Sequence, residues 1–101
     1  MQSTPVAIVG VHLAKRGLAG CDLKRISKQK AKFKALGNAL KADYDLALET
    51  ESSSTGREPC VLAKFADGTT SLLMDARDLA TIDGDIAKFE KTLRAKLFLF
   101  F

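Results

Sequence analysis

The 101-residue sequence has no tryptophan, one tyrosine, one histidine, two cysteines and two prolines. Each shortage closes off a class of function. With His12 as the only histidine, one chain cannot assemble a four-ligand Cys/His metal site, and Cys21 and Cys60 form neither a C-x-x-C pair nor a zinc spacing. A nucleophilic triad has only His12 to draw on, and His12 sits in an apolar run, where a hydrogen-bonded structural role is the simpler reading. Two widely spaced cysteines suit a reducing compartment better than a disulfide scaffold. Long hydrophobic runs are also missing. The longest is Leu97-Phe98-Leu99-Phe100-Phe101, far short of the roughly 20 residues of a membrane-crossing helix, so no membrane span is expected. The opening Met1–Pro5 carries no charge and the first basic residue is Lys15, so neither a secretory signal nor a cleavable presequence is expected.

What is present is hydrophobic enough, at 47%, for one core, and the length suggests one domain. Net charge is +4, unevenly spread: residues 1–50 hold nine Lys/Arg against four Asp/Glu, and residues 51–101 hold seven against eight. Basicity concentrated between Lys15 and Lys41 points to a polyanion on one side of the molecule, with a solvated helix face as the plain alternative.

Val6–Leu13 is a continuous β-branched, apolar run and predicts a central strand buried on both faces. Ala14–Gly20 reads as a loop whose glycines fit no phosphate-binding pattern. Asp22 is a candidate N-cap for one helix running to about Ala39–Lys41, with Leu23, Ile26, Phe33, Leu36, Gly37 and Leu40 on one face. Lys24, Arg25, Lys28 and Lys32 then fall opposite, with Lys30 and Lys34 at the border. Gly37-Asn38 weakens its last turns. Alternation over Asp43–Glu51 predicts a half-exposed strand, followed by a loop at Ser52–Gly56. Pro59 precedes a hairpin with strands near Cys60–Phe65 and Thr70–Asp75, turning on Asp67-Gly68, a two-residue turn signal. A last helix, capped by Thr81 or Asp83, places Ile82, Ile86, Phe89, Leu93 and Leu97 on one face. The order β-α-β-β-β-α, with a parallel opening unit, predicts an α/β (α+β) fold of thioredoxin-like type: a mixed four-stranded sheet with helices packed on it. Pro59 holds the place of that fold's proline, which is usually cis.

The chemistry of a redox thioredoxin is missing, because the residue three positions after Cys21 is Lys24. Cys60 is read as core. The carboxylate pairs Asp43/Asp45, Asp75/Asp78 and Asp83/Asp85 look like strand edges, loops or caps. No catalytic residue, cofactor, metal or small-molecule substrate is expected. The candidate site is a basic strip, Lys24, Lys28 and Lys32 at i, i+4, i+8, broadened by Arg25 and extended by Lys15 and Arg16 from the preceding loop. Like charges so spaced repel, and a phosphate backbone relieves that repulsion. No aromatic platform interleaves the lysines, so base stacking is not indicated. The apolar tail is a second candidate: Leu97 is expected to pack on the domain, and Phe98, Phe100 and Phe101 to dock on a partner.

Glu58-Pro59-Cys60-Val61, Phe65, Asp67-Gly68, Leu73-Met74 and Leu79 resemble the thioredoxin-like family that mitochondrial ribosomal proteins share with a small accessory subunit of respiratory complex I. The resemblance covers roughly residues 56–95; the N-terminal half agrees in element order and basic character. It implies a redox-dead fold in the mitochondrial matrix. The role it implies is structural, in the ribosomal large subunit, touching large-subunit rRNA and neighbouring ribosomal proteins. A complex I accessory subunit and a single-cysteine redox protein using Cys21 are the other readings.

Overall fold

The computed structural model describes residues 7–16, 21–53 and 58–101, without the side chains of Arg16, Cys21, Asp22, Ser52 and Ser53. The expected Asp22 cap and the Cys21 thiol therefore lie outside the described residues. Among the described residues the elements follow in order: β1 (Ile8–Arg16), α1 (Cys21–Ser27), α2 (Lys30–Tyr44), β2 (Ala47–Ser53), β3 (Cys60–Phe65), β4 (Thr70–Met74), α3 (Ala76–Ile82) and α4 (Ile86–Leu97), with a single 3-10 turn at Phe98–Phe100. The strands form one mixed sheet in the order β2-β1-β3-β4. β1 pairs parallel with β2 and antiparallel with β3, and β3 pairs antiparallel with β4. Four helices pack on this sheet, an arrangement consistent with a thioredoxin-like α+β fold.

The core lies between the sheet and the helices. Val11 and Leu13 of β1, Val61 and Ala63 of β3, and Leu73 and Met74 of β4 meet Leu23, Ile26, Leu36, Leu40, Leu79, Phe89, Leu93 and Leu97 there. His12 and Leu62, between core residues of their strands, are half-buried, and Val9 and Leu72, each beside a register shift, are exposed. β1 is thus central, as expected; its second face is bare of core helices, with Gly10 and Ala14 buried there, His12 half-buried and Val9 exposed. Its end also differs. Lys15 and Arg16 belong to the strand, because β2 extends to Ser53 and keeps pairing them, Lys15 with Ser52 and Arg16 with Ser53. Those serines, expected in a loop, are strand for the same reason. β2 starts late at Ala47: Tyr44 completes α2 and Asp45 ends it in the left-handed region (φ 59°), which Asp tolerates better than most residues.

The expected single first helix is two. Lys28 and Gln29 interrupt it, and side chains hold the interruption. Ser27 Oγ donates to the Lys24 carbonyl (3.2 Å), and the Gln29 amide donates to the carbonyls of Arg25 (3.0 Å) and Gly84 (2.9 Å). Gly84 joins α3 to α4 with φ 75°, and a Cβ there would lie 2.8 Å from the Arg25 guanidinium carbon. Arg25 passes over it to Asp83 (2.7 Å). α3 was not anticipated from the sequence. Asp75 caps it by accepting from the N–H groups of Arg77 and Asp78, while the Asp78 carboxylate accepts from the Asp75 N–H. Asp83 ends α3, and Asp85 is the N-cap of α4.

The hairpin strands match expectation almost residue for residue, but the turn is longer. The Gly68 N–H donates to the Phe65 carbonyl (3.0 Å) and the Phe65 N–H to the Thr69 carbonyl (2.9 Å). The loop is therefore Ala66-Asp67-Gly68, with only Gly68 at positive φ (89°), the three-residue form with a bulging glycine. Asp67 stays at negative φ because its carboxylate accepts from both the N–H and the hydroxyl of Thr69 (2.9 and 2.6 Å). No peptide bond among the described residues is cis, so Glu58–Pro59 is trans.

Two outcomes follow. Gly37 sits inside α2 with only Leu48 side-chain carbons nearby, at 3.8 and 3.9 Å. Gly37→Ala therefore raises stability by about 0.5–1 kcal/mol, whereas Gly84→Ala lowers it; denaturant midpoints distinguish the two signs. The second concerns acid. The Thr69 hydroxyl and N–H hold Asp67 below its ordinary carboxylate pKa, and the Asp78 N–H does so for Asp75. Both pKa values are lower in the folded state. Their contribution is complete above the unfolded value of about 3.9 and is lost as pH falls through the folded values. A urea midpoint series taken downward from about pH 5 falls less steeply in Asp67→Asn/Asp75→Asn than in wild type.

Candidate nucleic-acid interface

From Leu23 to Ala42 the chain holds seven basic residues and no acidic one. The helix break distributes them. Lys24 and Arg25 lie in the last turn of α1, Lys28 in the break, Lys30 and Lys32 in the first turn of α2, and Lys34 one turn later. Lys24, Lys28 and Lys32 therefore do not form the continuous strip expected of one helix. At about 100° per residue, Lys30 and Lys34 share one ridge of α2, and Lys32 lies on the opposite flank. That flank faces α4: Lys32 borders a shallow groove with Ala35, Ala39, Ile86 and Glu90.

The environments separate structural cations from available ones. Lys24 and Arg25 sit at a helix C-terminus, where the dipole favours positive charge, and Arg25 is further committed to Asp83. Lys41 pairs with Asp45 (2.5 Å). Arg94 bonds Asp43 (2.9 Å) and Glu90 (3.0 Å) beside the Tyr44 ring, joining α4 to the end of α2. By contrast, Lys28, Lys30, Lys32 and Lys34 are exposed and have no ion pair among the described residues. Three of them crowd the N-terminal end of α2, where the helix dipole is also positive. Gln29, at the cap position, makes no capping bond, and the first turn contains no acidic residue. Positive charge thus gathers where a helix ordinarily carries Asp or Glu, the arrangement that accepts a phosphate.

Lys30 and Lys34 are the residues sequence reasoning undervalued. Their signal was Ser27-Lys28-Gln29, three polar residues that interrupt the apolar spacing. Lys15 is half-buried on β1, and the Arg16 side chain lies outside the described residues.

A second polar group occupies the bare sheet face. His12 Nε2 lies 2.7 Å from Glu51, and its Nδ1 lies 3.8 Å from Glu49, whose carboxylate is 4.0 Å from the Lys64 amine. No group of three or more His, Cys, Asp or Glu among the described residues is placed to hold a metal ion. Cys60 is half-buried and, by strand alternation, shares this face with Leu62 and Lys64; it does not belong to the core. Each of the three carboxylate pairs is used structurally: Asp43 in the Arg94 link, Asp45 and Asp83 at helix ends, and Asp75, Asp78 and Asp85 in caps.

The tail divides. Leu97 is fully buried in the core. Phe100 meets the Phe65 ring edge-on at 5.8 Å, and Phe101 lies over Tyr44 at 5.2 Å. Phe98 and Leu99 project, 77% and 78% exposed. Phe100 and Phe101 therefore find partial cover within the chain, and Leu99 joins Phe98 as the outward-facing pair. Beside them an open groove of about 650 Å³ is lined by Ala7, Ile8, Phe65, Thr69 and Leu99–Phe101. No described helix is long and apolar enough to cross a membrane. Leu97→Ala is expected to cost about 2–5 kcal/mol in a denaturant titration, and Phe98→Ser to stay within about 0.5 kcal/mol of wild type.

Compared with models of known families and with curated proteins, the chain matches none.

Proposed function

We propose that this protein is a non-catalytic structural component of the mitochondrial ribosomal large subunit, resident in the matrix. It grips rRNA backbone at the α1–α2 junction and meets neighbouring ribosomal proteins through Phe98, Leu99 and the partly covered Phe100 and Phe101. The observation that carries the reading is the N-terminal end of α2. Lys28, Lys30, Lys32 and Lys34 gather there without acidic partners, on a dipole end that lacks a side-chain cap. Such an end is held against electrostatic repulsion, and a phosphate backbone removes the repulsion as the lysines displace its condensed counterions. The contacts are to backbone, without base readout. The family resemblance of the Glu58–Leu79 segment supplies the ribosomal setting. A complex I accessory role needs no polyanion and leaves this end of α2 without a purpose.

The test is RNA binding by fluorescence anisotropy over a salt series, with sedimentation of tagged protein from mitochondrial lysate. Four lysine–phosphate contacts give a slope of log K against log salt near about −3, so a fourfold rise in salt lowers affinity roughly 60-fold. Lys30→Glu/Lys34→Glu reduces the slope by about 1.5 and leaves the circular dichroism spectrum intact. Lys88→Glu/Lys91→Glu, on the exposed side of α4, leaves the slope unchanged. Salt-independent binding, or failure to travel with large subunits, defeats the proposal.

A further inference from the structure

The two edges of the sheet are built differently. β2, at one edge, carries Glu49 and Glu51 on the bare face. If two such strands met edge to edge, carboxylates would face carboxylates. β4, at the other edge, reads Thr70-Ser71-Leu72-Leu73-Met74. It has no charged residue and no proline, two devices that keep an edge from recruiting another strand, and its register shift against β3 falls beyond Leu72, between Leu72 and Met74.

The phase of the ladder shows which groups that edge offers. Phe65 and Thr69 form a hydrogen-bonded pair next to the turn (2.9 Å). In an antiparallel ladder the groups facing the partner alternate. Ser71, opposite Ala63, therefore faces β3. Thr70 and Leu72 direct their N–H and C=O groups outward. Among the described residues, neither Thr70 nor Leu72 makes a backbone bond to any further segment. The Leu72 side chain is 57% exposed and stands opposite Leu62 on the bare face. An apolar cross-strand pair thus runs up to the edge and stops there.

We infer that β4 pairs antiparallel with β4 of a second copy of this chain, about a two-fold axis at Leu72, joining two four-stranded sheets into one of eight. The occupant is a second copy because the edge is self-complementary. Leu72 meets Leu72 of the partner copy and exchanges two N–H···O=C bonds with it. Thr70 comes opposite the register shift at Leu73–Met74 of the partner copy, so the Leu72 pair supplies the central bonds, and no like charges oppose one another within the strand. Leu62 and Leu72 of both copies then form one apolar stripe across the joined face. Such a contact is isologous and closes as a dimer. The inference is independent of the RNA reading.

Sedimentation velocity across a wide protein concentration range, without RNA, tests it. Wild type is expected to approach twice the 10.9 kDa chain mass. Leu72→Lys places like charges at the axis, and Leu72→Pro removes an outward N–H that the β3 ladder does not use. Each raises the dimer dissociation constant at least about tenfold, with far-ultraviolet circular dichroism unchanged for Leu72→Lys. Hydrogen exchange provides a second reading, since the Leu72 amide slows as wild type dimerises. A wild-type chain that stays monomeric throughout overturns the inference. So does a dimer whose dissociation constant is unmoved by Leu72→Lys, or a Leu72 amide slowed only by an added extended peptide.

Discussion

The helical layer depends on one tether. Gln29 and Arg25 reach from the break between α1 and α2 to the short link between α3 and α4, and Gly84 leaves the space they need. Without a break, a single helix would carry Leu23 and Leu36 at opposite borders of an apolar arc of roughly 140°. With it, each helix turns its own apolar residues onto the sheet. The same tether sets the charge pattern. Arg25 is spent on Asp83, Gln29 on two carbonyls, and the lysines that follow are left at an uncapped helix end. Packing and the proposed binding surface therefore share one cause.

How much of this the sequence disclosed varied with how local the determining forces were. The hairpin was legible because period-two alternation, Pro59 and Gly68 act within a few residues of one another. The α4 face was legible because Ile86, Phe89, Leu93 and Leu97 keep helical spacing without interruption. The break left only one faint trace, the polar run Ser27-Lys28-Gln29. Leu23, Ile26, Phe33, Leu36 and Leu40 continue at spacings compatible with one helix, and neither proline nor glycine marks the gap. The bonds that stabilise it come from Gly84 and Asp83, and the Arg25–Asp83 pair spans 58 positions. α3 escaped notice for a related reason. It has 7 residues and two buried apolar positions, and its capping box uses Asp78 where Glu or Gln is usual.

Of the site, the sequence disclosed the charge and not its placement. An acid-free stretch from Leu23 to Ala42 is visible without a structure. Which lysines are offset by a helix C-terminus, and which are concentrated at an N-terminus, follows only once the break is known. The tail shows the same limit. Its hydrophobicity was evident, but the partial cover of Phe100 by Phe65 and of Phe101 by Tyr44 comes from a strand end and a helix end far away in sequence.

The strand order has a consequence in time. β1 is made first yet lies in the middle of the sheet, and Ile8 finds Phe65 only when the second half of the chain exists. The hairpin β3–β4 closes locally, while both neighbours of β1 require long loop closures, which are slow steps. During synthesis the lysine-rich α1–α2 segment therefore leaves the ribosome well before the scaffold that will hold it. The most basic part of the molecule spends that interval unsupported, surrounded by the nucleic acid of the machine that makes it.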